Sequence, residues 1–355
     1  MSETVQNRRR QLLAIKLRAL VAEHLGRAVD DVPEPVAGGS AVVVDGAAWF
    51  LVDGDARRAL GGAIAWAIRH DATSLDLIAE SATGLLARRA ERFAFPVAVW
   101  YPVDRSLLPA VAEPLPVEPA ALPAHLDVRD VIEASGATLV VEHGVVTGEV
   151  RGLEVCRVVD QPTTGYFDED WAAEGGEPIS ALGNALAAQQ GGGNGVMVEV
   201  GVGGPDREAF RIIHGDLPTV DALAEVVATV AGHRAAGAAP HPLNRLVPER
   251  LLRSRLATAP ELVGLRRLEP VAPPLPRQGL NEVAPCVASG VDDAGESCRV
   301  VCSVGVDVDL IPFVADVQAT TDDPVIVVLP SRDLVPITRD LAALLRNPVT
   351  LVSVD

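Results

Sequence analysis

Ala41-Val42-Val43-Val44-Asp45-Gly46-Ala47-Ala48-Trp49-Phe50-Leu51-Val52 is two β-rich runs set around an Asp-Gly pair. Asp-Gly between apolar runs is a strong local signal for a hairpin closed by a tight turn. Upstream, residues 6 to 25 place Leu13, Leu17, Leu20 and His24 at three- and four-residue spacing with arginines on the other side. That is the pattern of an amphipathic helix, and Gly26 ends it. Downstream, the periodicity predicts a helix from about Ala56 to His70, a strand at Leu75 to Ala79, a helix at Thr83 to Phe93 and a strand at Val97 to Tyr101. The expected order is helix, hairpin, helix, strand, helix, strand.

Farther along, prolines recur between Pro102 and Pro123; each removes a backbone donor and favours an extended course, so this stretch reads as a linker. A short helix (Val128 to Ser135) then leads into a meander of strands at Thr138 to Glu142, Val145 to Arg151 and Leu153 to Val159, turning at His143-Gly144. From Gln161 to Gly195 glycines replace the pattern, and no lysine or arginine occurs between Arg157 and Arg207. This stretch reads as a mobile acidic insertion. Alternation returns at Val196 to Val202, followed by a helix over about Val220 to His233.

The last part repeats the plan of the first. Pro248 and Glu249 suit the first turn of a helix running to Ala257. A Pro-rich stretch (Pro270 to Pro276) precedes strands at Cys286 to Ser289 and Arg299 to Val304 around a turn at Asp292 to Gly295. A helix (Leu310 to Gln318), a strand (Val325 to Leu329), a helix (Val335 to Leu345) and a strand (Val349 to Val354) follow. Thr83-Gly84-Leu85-Leu86-Ala87-Arg88-Arg89-Ala90 before Pro96-Val97 parallels Ile337-Thr338-Arg339-Asp340-Leu341-Ala342-Ala343-Leu344 before Pro348-Val349. An internal duplication gives this order, and so does the ordinary alternation of any α/β unit. The expectation is an α/β (α+β) chain: an N-terminal domain over 1–105, a Pro-rich linker over 106–124, a central antiparallel α+β domain over 125–240 with its insertion at 161–195, and a C-terminal domain over 241–355.

The composition narrows the chemistry. With 355 residues, 48% of them hydrophobic, the chain can bury two or three cores. No run of eighteen apolar residues occurs and the N-terminus leads into an amphipathic segment, so the expected location is cytoplasmic with no membrane association. A formal charge of −18 disfavours passive binding to nucleic acid or anionic lipid. Lys16 is the only lysine, and it has none of the flanking residues that a P-loop, Schiff-base or Glu-x-Lys lysine requires. The four cysteines, Cys156, Cys286, Cys298 and Cys302, lack CxxC spacing and read as core thiols.

Glu249-Arg250-Leu251-Leu252-Arg253, then Ala259-Pro260-Glu261-Leu262-Val263-Gly264, then a hairpin, then Val325-Ile326-Val327-Val328-Leu329-Pro330 and the run from Val349 to Val354, form a recognisable succession. It resembles the restriction-endonuclease-like fold, and residues 249–354 look most like the C-terminal domain of the mismatch-cutting endonucleases of archaea and actinobacteria. The resemblance implies two nuclease-like αββαβαβ units flanking the central domain and a link to DNA repair or nucleic-acid metabolism. Such nucleases hold divalent metal with an Asp on one strand and a Glu-x-Lys on the next. Here the Asp position falls within Val283-Ala284-Pro285-Cys286 and the Glu-x-Lys position becomes Cys302-Ser303-Val304. Asp307 and Asp309 stand near the strand end without a lysine, and Glu249 matches the family's helix acid as well as it matches a helix cap. By this resemblance the cores are catalytically degenerate.

Outside those cores the central meander holds the densest set of potential ligands: Glu142, His143, Glu149, Glu154, Glu199, Asp206, Glu208 and His214. Glu149 and Glu154 flank Gly152 on neighbouring strands and Glu199 lies on the strand at 196–202. Converging carboxylates with a histidine would suit Mg²⁺ or Mn²⁺ and activate water, with Glu149, Glu154 and Glu199 as the metal ligands. The plain alternative is the polar face of a half-exposed antiparallel sheet. The leading expectation is a protein-binding adaptor or regulatory protein without catalysis or cofactor. The alternative is a metal-dependent hydrolase or nuclease centred on the meander. A third reading is weak nucleic-acid binding through the N-terminal helix with Arg8, Arg9 and Arg10.

Overall fold

The computed structural model describes residues 3–160, 195–204, 206–209, 219–277, 279, 282 and 284–355. These form an α/β protein whose contacts gather into two compact units, one made of residues 1–116 and 296–355, the other of residues 117–295. The stretch expected as an N-terminal domain, 1–105, thus shares a unit with residues 296–355 of the expected C-terminal domain, whereas 241–295 of the latter falls in the other unit. The glycine-rich insertion expected at 161–195 lies, but for Gly195, outside the described residues.

In the first unit, helix α1 (Glu3–Leu25) precedes strands β1 (Glu34–Val36), β2 (Gly39–Val44) and β3 (Ala47–Val52). Val44 pairs with Ala47 across the turn. Asp45 and Gly46 both have positive φ, 52° and 81°, which is what a two-residue turn needs to follow the right-handed twist of its strands. Helix α2 (Leu60–Arg69) returns the chain to β4 (Ser74–Ile78), and α3 (Thr83–Ala90) returns it to β5 (Val97–Val103), which turns into β6 (Ser106–Pro109). The sheet runs β1 to β6 in sequence order, antiparallel at both margins and parallel from β3 through β5. Parallel neighbours require a crossover, and α2 and α3 supply it. Leu17, Leu20 and Val21 of α1 pack with Val42, Val44, Trp49, Leu51 and Ile78 of the sheet.

The second unit begins with helices α4 (Pro123–Leu126) and α5 (Arg129–Ala134) and continues into the meander β7 (Thr138–Glu142), β8 (Val145–Val150) and β9 (Leu153–Asp160), completed by β10 (Val196–Val200). This four-stranded sheet is antiparallel throughout. Leu223, Val227 and Val230 of α6 (Thr219–His233) bury against Ile132, Val146, Leu153, Val155 and Val158. Helix α7 (Pro248–Thr258) then leads to β11 (Arg267–Val271), antiparallel to β12 (Cys286–Val291).

The chain re-enters the first unit at β13 (Ser297–Cys302), followed by α8 (Leu310–Thr320), β14 (Val325–Pro330), α9 (Pro336–Ala343) and β15 (Thr350–Val354). β13, β14 and β15 are parallel, as β3, β4 and β5 are. The two halves of this unit meet in a symmetric exchange. Phe93 and Leu345 form an antiparallel bridge; Ala94 N–H donates to Leu344 O at 2.7 Å, and Arg346 N–H donates to Arg92 O at 2.8 Å. Ala94 and Arg346 each stand two residues before a proline, Pro96 and Pro348, so each half donates and accepts at corresponding positions.

Buried charge ties the halves further. Asp316 of α8 is 1% exposed and accepts from Arg88 Nε at 3.0 Å and Arg89 Nε at 2.7 Å, both on α3. Arg88 also donates to Glu113 O and Arg89 to Arg57 O. Nearby, Gly61 N–H donates to Asp309 Oδ1 at 2.9 Å, and a β-carbon on Gly61 would meet Val308 O at 1.9 Å, so only glycine allows this approach.

Three strands went unforeseen in the sequence: β1, β6 and β11 contain Pro35, Pro109 and Pro270. Proline cannot donate to a ladder and is tolerated where one side of a strand goes unpaired. β1 and β6 are the margins of their sheet, and β11 pairs with β12 alone in the described strand order. No helix among the described residues is long and apolar enough to cross a membrane.

Two measurements follow from this unit. Asp316→Ala leaves two buried guanidiniums short of their counter-charge, so urea unfolding shows a loss of about 3–5 kcal/mol. The Asp309 carboxyl is pushed up to about 6, first by burial and further by Asp307, against the opposing Gly61 N–H and the arginines Arg89 and Arg58. Its folded form therefore holds the proton to higher pH than the unfolded chain does. The contribution to stability is present below about pH 4 and is lost as pH rises towards 6. Asp309→Asn removes this dependence, so the stability difference between wild type and variant changes by roughly 2–3 kcal/mol from pH 4 to pH 7.

Candidate functional site in the central meander

Two X-Gly pairs shape the meander. His143-Gly144 and Arg151-Gly152 turn its strands with φ of 51° and 77°, and of 49° and 75°, as Asp45-Gly46 does elsewhere. The second turn is pressed against α7: a β-carbon on Gly152 would lie 2.2 Å from Arg250 O. Helix α7 itself departs from Val247, a β-branched residue with φ 41° and ψ 56° that is 1% exposed. A branched side chain in the left-handed region costs on the order of 1–3 kcal/mol. The burial of Val247 in the core with Leu153 and Val230 offsets it.

This placement aims Arg250 and Arg253, three residues apart on one helical face, at the meander carboxylates. Glu149 accepts from Arg250 Nη1 at 2.9 Å and from Arg253 Nη2 at 3.1 Å. Glu142 accepts from Arg253 Nη1 at 2.9 Å and is also bonded by Arg250 Nη2. Arg253 is 1% exposed and Glu149 5%. Burial alone pulls the Arg253 guanidinium down, yet Glu149 foremost, with Cys286 and Glu142, holds it above its ordinary value. The two acids and two bases form a neutral, interlocked set.

Further charge surrounds it. Glu249 pairs with Arg277, which also donates to Glu282 O at 2.7 Å. Arg234 donates through Nη1 to Leu243 O at 2.8 Å and Leu246 O at 3.0 Å. Its guanidinium is lowered to about 10 by burial, against the opposing pull of Glu149 and Glu249.

The remaining candidates lie elsewhere on the sheet. Glu154 is 4% exposed and accepts from Arg157 Nε at 3.0 Å and Arg207 Nη1 at 2.7 Å. Arg207 Nε reaches Glu199 at 3.4 Å. His143 sits in the β7–β8 turn, and its Nε2 is buried without a hydrogen-bond partner. Asp206 caps the chain locally by accepting from Val202 N–H at 2.6 Å; Glu208 is exposed, and His214 lies outside the described residues. The structure thus links Glu142 to Glu149 and Glu154 to Glu199, each pair through arginine. It shows no group of three or more His, Cys, Asp or Glu side chains able to hold a metal among the described residues. Cys156 is raised to about 12 by burial, which keeps it a thiol.

The residues around the expected nuclease motif are likewise buried or bonded. Cys302 and Ser303 are buried, Asp307 pairs with Arg58 at 2.7 Å and Asp309 accepts from Gly61. What the sequence reading overlooked are the bases: Arg207, Arg234, Arg250, Arg253 and Arg277. The available signal was two arginines in Glu249-Arg250-Leu251-Leu252-Arg253, three apart beside leucines, in a chain whose arginines are few against its acids.

No family model matches the chain, and no curated protein or solved structure does either.

Because Glu149 is the acid shared most fully between Arg250 and Arg253, Glu149→Ala lowers the unfolding free energy by about 3–5 kcal/mol. A loss below about 1 kcal/mol in urea titration, the range of an exposed pair, would show that the set does not hold α7 to the meander.

Proposed function

We propose that the protein is a non-catalytic adaptor or regulatory protein that acts through contacts with other proteins. The observation that supports this reading most is the pairing of the meander acids with arginine. Mg²⁺ and Mn²⁺ are held by carboxylate lone pairs within one small coordination sphere. Glu149 already accepts three hydrogen bonds from Arg250 and Arg253. A cation entering there would meet two buried guanidiniums of its own sign and would have to expel one, leaving a buried charge unpaired. Glu154, flanked by Arg157 and Arg207, presents the same obstacle.

Two further facts favour it. Lys16, the only lysine, is spent in an exposed pair with Glu80 on the N-terminal helix. If the resemblance to nucleases holds, the positions of their Glu and Lys are Cys302 and Val304 here, and the nearby Asp307 and Asp309 bond within the unit. On this reading the resemblance to nucleases is one of scaffold, and a place in nucleic-acid metabolism would come through the partner.

Thermal melts with EDTA, Mg²⁺, Mn²⁺ or Zn²⁺ test the proposal, because a ligand of the folded state at a hundred times its Kd adds about 2.7 kcal/mol and raises the midpoint. The expected result is one midpoint in all four conditions. A rise with any metal that disappears in Glu149→Ala or Glu199→Ala would replace the adaptor with the metal-dependent hydrolase.

A further inference from the structure

A carboxylate stands among apolar residues at the centre of the first unit's sheet. Asp76 lies midway along β4, opposite Trp49 of β3 and Ala98 of β5. Opposed residues, and those two apart along a strand, share a face, so Ser74, Ile78 and Trp100 lie on this side as well. Helix α1 covers the face at Trp49 and Ile78. At Ser74 and Ala98 the side chains are too small to fill the space beside Asp76, and a cleft of about 530 Å³ opens there. Trp100, Phe95 and Pro109 contribute apolar wall, and the exposed Glu91 and Arg346 also line it.

Asp76 is compensated differently from the buried acids described above. Glu142, Glu149, Glu154, Glu249 and Asp316 each meet a guanidinium. Asp76 accepts from Trp100 Nε1 at 2.8 Å, and no salt bridge reaches it among the described residues. His24 of α1 meets the Trp100 ring edge-on, with centroids 4.7 Å apart. Burial pushes the Asp76 carboxyl above its ordinary value, against the Trp100 hydrogen bond and the pull of His24. A partly desolvated carboxylate with one neutral donor still lacks a close counter-charge, and the cleft beside it has room for one.

We propose that this cleft binds a compact organic cation, an alkylammonium or guanidinium group, with Asp76 as its counter-ion and Trp100 and Phe95 against its alkyl body. The volume is that of a small-molecule site, and an apolar lining with a few polar groups is the usual make-up of one. Aromatic rings bury alkyl groups and attract cations. Mg²⁺ and Ca²⁺ suit the cleft less, because they collect oxygen ligands, and no group able to hold a metal gathers among the described residues. An anion suits it less too, since it would face Asp76, and Arg346 already spends Nε on Glu91 O at 3.1 Å. The cleft belongs to the first unit and owes nothing to the meander acids, so it stands apart from the adaptor reading.

The test uses the isotope-labelled full chain and two-dimensional NMR. Four tryptophans give four indole N–H signals, and Trp100→Phe identifies the one bonded to Asp76. n-Butylammonium moves that signal saturably with a Kd of about 1 mM, whereas butanol and butyrate leave it in place. Asp76→Asn keeps an oxygen for the indole but removes the charge, and it weakens binding at least about tenfold while the melting midpoint holds or rises. Ala98→Leu fills the cleft and leaves the charge, so it abolishes binding as well and carries the test should Asp76→Asn lower the midpoint. Lack of a saturable shift, an equal response to butanol, or binding that survives either variant would overturn the proposal. A response to butyrate alone would also overturn it and make Arg346 the binding group. Given binding, an acetylated Gly-Lys-Gly amide that binds as tightly as butylammonium or more so assigns the cation to a protein side chain. Weaker binding of the peptide assigns it to a free amine.

Discussion

Two guanidiniums buried against two carboxylates organise the unit formed by residues 117–295. Arg250 and Arg253 cannot lose their charge, so the interior that receives them must supply compensation at fixed places. Glu142 and Glu149 do so from adjacent strands, and the pairing fixes both the rotation of α7 about its axis and its height above the β8–β9 turn. The close approach of Gly152 to the Arg250 carbonyl and the left-handed start at Val247 are the backbone consequences. An apolar interface would have tolerated a helix sliding or rolling; four interlocked charges admit one arrangement. The set gives this part of the fold its uniqueness more than its stability, because desolvation consumes much of what the pairing supplies.

Most of the fold could be read from the chain, for identifiable reasons. Asp45-Gly46, His143-Gly144 and Arg151-Gly152 are turn chemistry that acts locally, and the strands on either side follow from it. The helices at 60–69 and 310–320 could be read because their apolar spacing is dictated by the sheet they cover. Strands β1, β6 and β11 escaped because proline counts against a strand unless one knows which side is left unpaired, and that depends on neighbours distant in sequence. The grouping of 296–355 with 1–116 was equally hidden. It rests on Arg88 and Arg89 meeting Asp316 and on the Phe93–Leu345 bridge, and a pairing of single residues leaves no periodic trace.

The site was legible in half. Reading the meander found Glu142, Glu149, Glu154 and Glu199, since alternating strands display their acids openly. It did not find Arg250 or Arg253, because a helix arginine beside leucines looks like an ordinary surface residue, nor Arg207, which stands between Asp206 and Glu208 like any solvated charge. The acids alone suggested a metal; with their bases they form a structural core. Burial of charge is a property of pairs, and only one member of each pair announced itself.

The symmetric exchange at Ala94 and Arg346 has a bearing on how the chain comes to be folded. The N-terminal half of its unit leaves the ribosome long before Leu344, Arg346 and Asp316 exist. Until they do, Arg88 and Arg89 have no carboxylate to enter the interior with, and the carbonyl of Arg92 and the amide of Ala94 have only water. The intervening residues 117–295 carry a core of their own and can condense meanwhile. Completion of the first unit is thus a late, long-range event. The nascent N-terminal half spends that interval exposing apolar surface on α2 and α3, which is where a chaperone or a protease would find it.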